Sequence, residues 1–423
     1  AVAQHFQAAN IVVGFDARET SPELAAATMS GICDAGCDVV SIGLAGTEEM
    51  YWAVTEFNAC AGIEITASHN PINYNGLKIV LGGETLAAES IQNLRVRIEN
   101  NNFINGKGKY NKQDITETYL KCITSDIKLA RPIKIIIDCG NGVAGAYAPT
   151  LFRRLGCEVT ELFCEVDGTF PNHHPDPSVP ENLYDLILAL NATNAEIGLA
   201  FDGDGDRLGV VTRDGNIIYP DRQLMLFAAD VLSRNPGGQI IFDVKCTRKL
   251  APWIESHGGT PIMWKTGHSF IKGKLKETGA LLAGEMSGHI FFKERWHGFD
   301  DGLYAGARLL ELLSHKEDCS ATLNAIPDSV NTPELQIKLE EGENYALISQ
   351  LQRNAQFDNP EQVITVDGLR VEYKDGFGLA RSSNTTPVVV LRFEAENEIS
   401  LKRIQDDFRK VILQAKPDAN LPF

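Results

Sequence analysis

Gly62-Ile63-Glu64-Ile65-Thr66-Ala67-Ser68-His69-Asn70-Pro71 is the stretch that decides how this 423-residue chain is read. Its first half alternates and is β-branched, which is the pattern of a strand. Its second half is small and polar and ends in proline. Ser68 is therefore expected on an exposed loop just past a strand's end, backed by a sheet, with His69 beside it. A hydroxyl placed there suits a covalent phosphate or acyl group. The competing reading is an ordinary turn, because Ser and Asn-Pro are common turn residues. The rest of the chain decides between the two.

Working outward, the strand into Ser68 is the third of a series. Ile11-Val12-Val13-Gly14-Phe15-Asp16 reads as a buried strand. Ser21-Pro22 then marks a helix start and Gly36 its end. Cys37 to Gly43 is a second strand. The order recurs with Lys134 to Gly140, a helix ending at Leu155-Gly156, Cys157 to Leu162, and Ile197 to Phe201 leading into Asp202-Gly203-Asp204-Gly205-Asp206-Arg207. It recurs again with Gln239 to Asp243, a helix ending at His257-Gly258-Gly259, Thr260 to Trp264, and Gly279 to Ala283 leading into Gly284-Glu285-Met286-Ser287-Gly288-His289.

Three αβ units of one plan imply three related domains with mixed sheets. Open α/β sheets place ligands at the carboxyl ends of their strands, so three such ends facing one another would make one cleft. Past Pro327 the pattern changes. Leu369 to Tyr373 and Pro387 to Phe393 read as strands flanking Arg381-Ser382-Ser383-Asn384-Thr385-Thr386. A helix with Leu401, Ile404, Phe408 and Ile412 on one face follows. The expected organisation is α/β, with domains over 1–113, 114–216 and 217–328 and a C-terminal α+β domain over 329–423, around a central cleft.

Composition bounds the function. The net charge is −17, a surface that repels nucleic acid and anionic membranes. No apolar run is long enough to span a membrane. Nine cysteines without a CxxC pair point to reduced thiols in a cytoplasm. The first ten residues read as the end of a helix without an initiator Met, as in a fragment that has lost N-terminal sequence.

The loops carry the chemistry. Asp202, Asp204 and Asp206 alternate with glycines, and three converging carboxylates repel unless a cation sits among them. Hard oxygen ligands suit Mg²⁺ or Ca²⁺. An EF-hand is excluded because position 213, where its last Glu would stand, is Arg. Arg381, Ser383, Asn384 and Thr385 offer a guanidinium, hydroxyls, an amide and backbone donors, which is a phosphate cradle in type. Lys78 and Lys245 are candidates to face the cleft. His268 and His289 flank the third loop, and the loop-borne His289 is a candidate for acid/base work. Glu285 and Ser287 are suited to sugar hydroxyls. No P-loop or kinase signature occurs, so ATP is not the implied donor.

The four motifs, Thr66 to Pro71, Asp202 to Arg207, Gly284 to His289 and Arg381 to Pro387, fall in the order of the α-D-phosphohexomutases. The chain resembles that family over essentially its whole length. Asp243-Val244-Lys245-Cys246-Thr247-Arg248 and Phe299-Asp300-Asp301-Gly302 resemble its bacterial phosphomannomutase/phosphoglucomutase branch. The resemblance implies a phosphoserine at Ser68 that converts hexose 1-phosphate and 6-phosphate through a hexose 1,6-bisphosphate, which also serves as activator. It implies Mg²⁺ on Asp202, Asp204 and Asp206 with Ser68 alongside. Glu285 and Ser287 would meet the sugar, and Arg381, Ser383, Asn384 and Thr385 the non-reacting phosphate. His289 and Lys78 would be the acid/base candidates, with Arg207, His69, Lys245 and His268 lining the cleft. The expected partners are small-molecule sugar phosphates, with no nucleic acid or membrane, and a monomer is expected. Members of the family begin with an Arg-Gly-like loop that approaches the phosphoserine. The first domain is therefore expected to lack its first strand and one basic residue.

Overall fold

The computed structural model describes residues 10–87 and 89–423. The helix end expected at the start falls on residues 1–9, outside the described residues, and Asn10 already opens a strand.

The threefold repeat is visible in the sheets. In the first domain Asn10–Phe15 lies between Asp38–Leu44 and Ala61–Ile65, parallel to both. Leu77–Leu81 then pairs antiparallel with Ala61–Ile65. In the second domain Lys134–Asp138 lies between Glu158–Leu162 and Ile197–Phe201, with Leu208–Thr212 antiparallel outside. In the third, Gln239–Asp243 lies between Thr260–Trp264 and Leu282–Gly284, with Ile290–Phe292 antiparallel outside. Each polar loop thus leaves its third strand and returns as the fourth, making a hairpin whose tip carries the motif. The central strands are apolar between their ends because both of their faces are covered. Their side chains join helices of all three domains in one continuous core.

The local signals act as expected, with one shift. The helix Ser21–Asp34 takes its proline in the first turn, and Gly36 closes it at φ 85°. Ser21 is the first helical residue and not the cap; its hydroxyl donates to Asp16 (2.5 Å).

The fourth domain is an antiparallel sheet with its own core. The helix Glu398–Ala415 buries Leu401, Ile404, Phe408 and Ile412 against it. The sequence expectation misses one strand here. Gly376–Ser382 pairs with both Leu369–Tyr373 and Val388–Ala395, so Arg381 and Ser382 stand on a strand and not in a loop. Gly376 and Gly378 hide it, since paired glycines read as a turn. They are there for packing: a Cβ on Gly378 would lie 2.3 Å from the Phe408 ring.

Candidate active site

The turn after Ala61–Ile65 places Ser68 at φ 51°, left-handed backbone for a non-glycine residue. Ser68 is not exposed as expected: it is only 7% accessible. Two neighbours cover it. Gly203 of the second domain packs on the Ser68 carbonyl so closely that a Cβ would come within 2.6 Å, and His174 Nε2 hydrogen-bonds the carbonyl of His69. The Ser68 hydroxyl donates to Asp202 Oδ2 (3.1 Å) and lies 3.0 Å from His69 Nδ1. Burial, then the nearby Arg207 charge, push the His69 imidazole down to about 3, so it is neutral beside the hydroxyl.

The loop after Ile197–Phe201 supplies the carboxylates. Gly205 turns it at φ 81°. Asp202, Asp204 and Asp206 are fully buried, and an oxygen from each lies within 4.8 Å of the other two. Lys78, within the strand Leu77–Leu81, sets its Nζ 2.8 Å from Asp204 and 2.6 Å from Asp206. Burial opposes the Lys78 charge, yet Asp204 and Asp206 outweigh it and hold the ammonium well above its ordinary range. Burial and the repulsion of Asp206 and Asp204 push Asp202 up. Burial also opposes charge on Asp204, but Lys78 wins and holds that carboxyl down. Thr47 donates its hydroxyl (2.6 Å) to Asp204. Asp204 Oδ1 and Asp206 Oδ1 are buried with no hydrogen-bond partner. An all-oxygen donor set with two orphaned oxygens fits a hard divalent cation such as Mg²⁺.

The third loop faces the second. Arg207 and His289 form an isolated bridge, and Arg207 Nε donates to His289 Nε2 (3.0 Å). His289 Nδ1 lies 3.0 Å from Asp300. His268 stacks on His289 at 5.6 Å. Burial and the Lys272 charge hold the His268 imidazole well below its usual range. Glu285 accepts from the Gly267 amide (3.1 Å) and from the Ser287 hydroxyl (3.2 Å). Lys245 ion-pairs with Glu334 at 2.5 Å. In the fourth domain Arg381 Nε meets Asp367 (2.9 Å), while its Nη2 is buried without a partner. Asn384 donates to Thr266 O (3.3 Å), and the Ser383 hydroxyl receives the amides of Thr385 and Thr386 (3.3 Å each).

These walls enclose a cavity of about 970 Å³. His69 and Arg207 border it on one side and His268, Glu285, Ser287 and His289 on another. Lys245, Arg381, Ser383, Asn384 and Thr385 close the far side. Ser68, Lys78 and the three aspartates are not among its lining residues; Ser68 adjoins it through His69.

Four family models match in chain order: phosphoglucomutase/phosphomannomutase alpha/beta/alpha domain I over residues 1–105, domain II over 117–215, domain III over 219–330 and the C-terminal domain over 334–411. The chain belongs to the phosphoglucomutase/phosphomannomutase family. It is 58% identical over 415 residues to a phosphoglucomutase of Neisseria meningitidis serogroup A, covering 97% of this chain and 90% of that protein. It is 55% identical over 414 residues to a phosphomannomutase/phosphoglucomutase of Pseudomonas aeruginosa PAO1, covering 98% and 89%. A solved structure of a phosphoglucomutase/phosphomannomutase family protein from Burkholderia thailandensis superposes with a TM-score of 0.93 at 58% identity, covering 98% and 91%.

All four loops reach one cleft, through His69, Arg207, Glu285 and Arg381 among others, with Ser68, Lys78 and the three aspartates set behind its lining, and the structure adds further partners. Asp300 collects His289 (3.0 Å) and Lys272 (2.9 Å). Asp176 lines the cavity; burial opposes its charge, but the Arg207 guanidinium helps hold its carboxyl below the ordinary range. Glu334 and Asp367 each pair with a cleft cation. Glu48 and Glu49 head the helix Thr47–Glu56 completely buried, and burial pushes both carboxyls well up. A signal for Asp300 was present in Phe299-Asp300-Asp301-Gly302. Nothing local distinguishes Glu334 or Asp367 from surface acids.

Proposed function

We propose that this chain reversibly interconverts hexose 1-phosphate and hexose 6-phosphate, of glucose and mannose, by way of a phosphoryl group carried on Ser68. The observation that carries this reading is the Ser68 hydroxyl, 3.1 Å from Asp202 in a buried triple carboxylate beside a large cleft. The substrate's phosphate sits with Arg381, Ser383, Asn384 and Thr385, where Arg381 Nη2 is a buried donor still to be used. Glu285 and Ser287 meet the sugar hydroxyls. The free hydroxyl then faces phosphorylated Ser68. As its oxygen bonds to phosphorus, the bond from phosphorus to Ser68 Oγ breaks, and the hydroxyl proton passes to a base, for which His289 is the candidate. The hexose 1,6-bisphosphate turns in the cleft. Its other phosphoryl returns to Oγ, and the oxygen left behind recovers a proton.

Little covalent work is asked of the protein in such a transfer, so positioning and charge do most of it. Asp202, Asp204 and Asp206, with the Ser68 phosphate alongside, would hold Mg²⁺, which when bound supplies positive charge at the transferring phosphoryl. Lys78 stays charged among those carboxylates and acts in this reading as a fixed cation. Arg207 steadies His289, His69 adjoins the hydroxyl, and Lys245 and His268 face the sugar phosphate. Added hexose 1,6-bisphosphate would activate by rephosphorylating Ser68. In this reading the chain is a monomer acting on small-molecule sugar phosphates. All nine cysteines are free, which favours the cytoplasm, and no helix among the described residues is long and apolar enough to cross a membrane.

The test is Ser68→Ala in a coupled mutase assay with glucose 1,6-bisphosphate supplied. Turnover should vanish while the melting temperature stays near that of the wild type. Near-normal turnover would remove the nucleophile.

A further inference from the structure

One fully buried arginine has no part in the chemistry above. Arg18 follows the strand Asn10–Phe15 and is 1% exposed. Its Nη1 donates to the carbonyls of Pro71 (2.8 Å) and Tyr74 (3.0 Å). Its Nη2 donates to the carbonyls of Ser68 (2.8 Å) and Asn70 (2.6 Å). Nε lies 3.3 Å from Asp16. The four Nη N–H bonds of the guanidinium therefore each meet a carbonyl, while Nε faces Asp16 as an ion pair without a hydrogen bond.

The four carbonyls belong to one loop, and it is the loop that carries Ser68 at φ 51°. An L-residue keeps that backbone only where its surroundings hold it. Four carbonyls drawn to one buried cation supply the hold, and only a planar guanidinium has enough donors to do so from one point. Both sides of Arg18 are fixed in turn. Phe170 of the second domain lies under the guanidinium, 5.5 Å from ring centroid to Cζ. Gly168 packs on Ala17 so tightly that a Cβ would stand 2.0 Å from its carbonyl. Asp16 accepts from the Thr66 hydroxyl (2.8 Å), and that hydroxyl accepts the Ser68 amide (2.7 Å). The chain of contacts ends at the backbone of Ser68.

We propose that Arg18 is a positioning residue for phosphoryl transfer: by collecting the carbonyls of Ser68, Asn70, Pro71 and Tyr74 it aims the Ser68 oxygen into the cleft. The proposal rests on the reading of Ser68 as the phosphoryl carrier. Arg18 touches neither substrate nor reacting atoms, and the phosphate grip lies in another domain. Its loss therefore falls on the transfer step and not on binding.

The experiment compares wild type, Arg18→Lys and Arg18→Ala with glucose 1-phosphate and glucose 1,6-bisphosphate. It reads melting temperature, kcat, KM and the single-turnover rate at which labelled phosphoryl leaves Ser68 for glucose 1-phosphate. A misplacement of about 1 Å costs roughly 100-fold in rate. In Arg18→Ala both kcat and the single-turnover rate should fall by about that factor, with KM changed less than about threefold. Arg18→Lys should fall between, and millimolar methylguanidinium should restore part of the Arg18→Ala rate. A folded Arg18→Ala with normal kcat would overturn the proposal. So would a loss that methylguanidinium does not touch and that tracks the melting temperature alone. An Arg18→Lys chain that no longer folds would make the residue structural and overturn it too. Wild-type Ser68 that takes no label at all would instead sink the phosphoserine reading, and Arg18's role with it.

Discussion

Ser68 shows what a residue-scale reading captures and what it leaves out. The type of residue, its place after a strand and its neighbour His69 are all written in ten consecutive letters. Its burial is not, because Arg18, Gly203 and His174 cover it from elsewhere in the chain. The three aspartates were legible for a different reason: carboxylates at alternate positions with glycines between them have few stable uses without a cation. Burial opposes charge on Asp204, but Lys78 and then Thr47 hold its carboxyl down, and it keeps an orphaned oxygen. Asp204→Asn should therefore weaken Mg²⁺ binding, measured by titration against activity and by calorimetry, and slow turnover by about 100-fold or more. Unchanged Mg²⁺ dependence and rate would reduce the cluster to an acidic turn.

At the scale of elements, the strands of the three repeats were readable because a buried strand between two others must be apolar on both faces. Of the central strands, Gln239–Asp243 stands where the sequence places it and Lys134–Asp138 starts there but ends before the expected Gly140, while Thr260–Trp264 keeps its expected bounds at a sheet edge. The strand carrying Arg381 was hidden because Gly378 makes room for the Phe408 ring and Gly376 for Glu394 and Ile404, contacts no local pattern reveals. Long loops were the other gap. The segment from Phe163 to Val179 brings His174 to the Ser68 loop and Asp176 to the cleft, and His173 pins it to a strand end. His173 Nε2 lies 3.0 Å from both oxygens of Asp138. Burial opposes charge on His173, but the Asp138 hydrogen bond outweighs it and the net shift is upward. A histidine raised in the folded state binds a proton there that the unfolded chain releases earlier. Its stabilisation is thus full below the ordinary histidine range near 6.5 and is lost as pH rises through the raised value. The melting temperature of the wild type should fall between pH 6 and 9 more steeply than that of His173→Gln. Parallel curves would show that the pair contributes nothing.

For the whole molecule, the account requires the cleft to hold one intermediate in two orientations. The first three domains share one continuous core, while the fourth has its own and meets the third through Lys245–Glu334 and through Arg370, whose guanidinium donates to the carbonyls of Val244 and Cys246. A fourth domain that grips phosphate and ignores the sugar can take either end of the bisphosphate. Charge-assisted hydrogen bonds are worth roughly 1.5–3 kcal/mol each. Arg381→Ala should therefore raise KM about tenfold or more for both hexose 1-phosphate and hexose 6-phosphate. The variant should also release bisphosphate before it has turned over and depend on added bisphosphate to keep working. Unchanged KM without excess release would place Arg381 outside the mechanism. The gathering of all four motifs around one cleft was foreseeable from the threefold repeat and the carboxyl-end rule. Of the acids that hold its cations, Asp300 had a signal in Phe299-Asp300-Asp301-Gly302, while Glu334 and Asp367 had none, since each looks locally like a solvated carboxylate.

The central claim is that the phosphoryl group travels by way of Ser68, and one measurement tests it most directly. The enzyme is incubated with glucose 1,6-bisphosphate labelled in its phosphates, freed of ligand, and examined by intact mass and phosphosite mapping. It is then mixed with unlabelled glucose 1-phosphate for a single turnover. The account predicts one labelled phosphate per chain, on Ser68, and its transfer to the sugar at a rate no slower than kcat. Label on another residue, or a Ser68 phosphate that fails to leave within the time of a turnover, would contradict it.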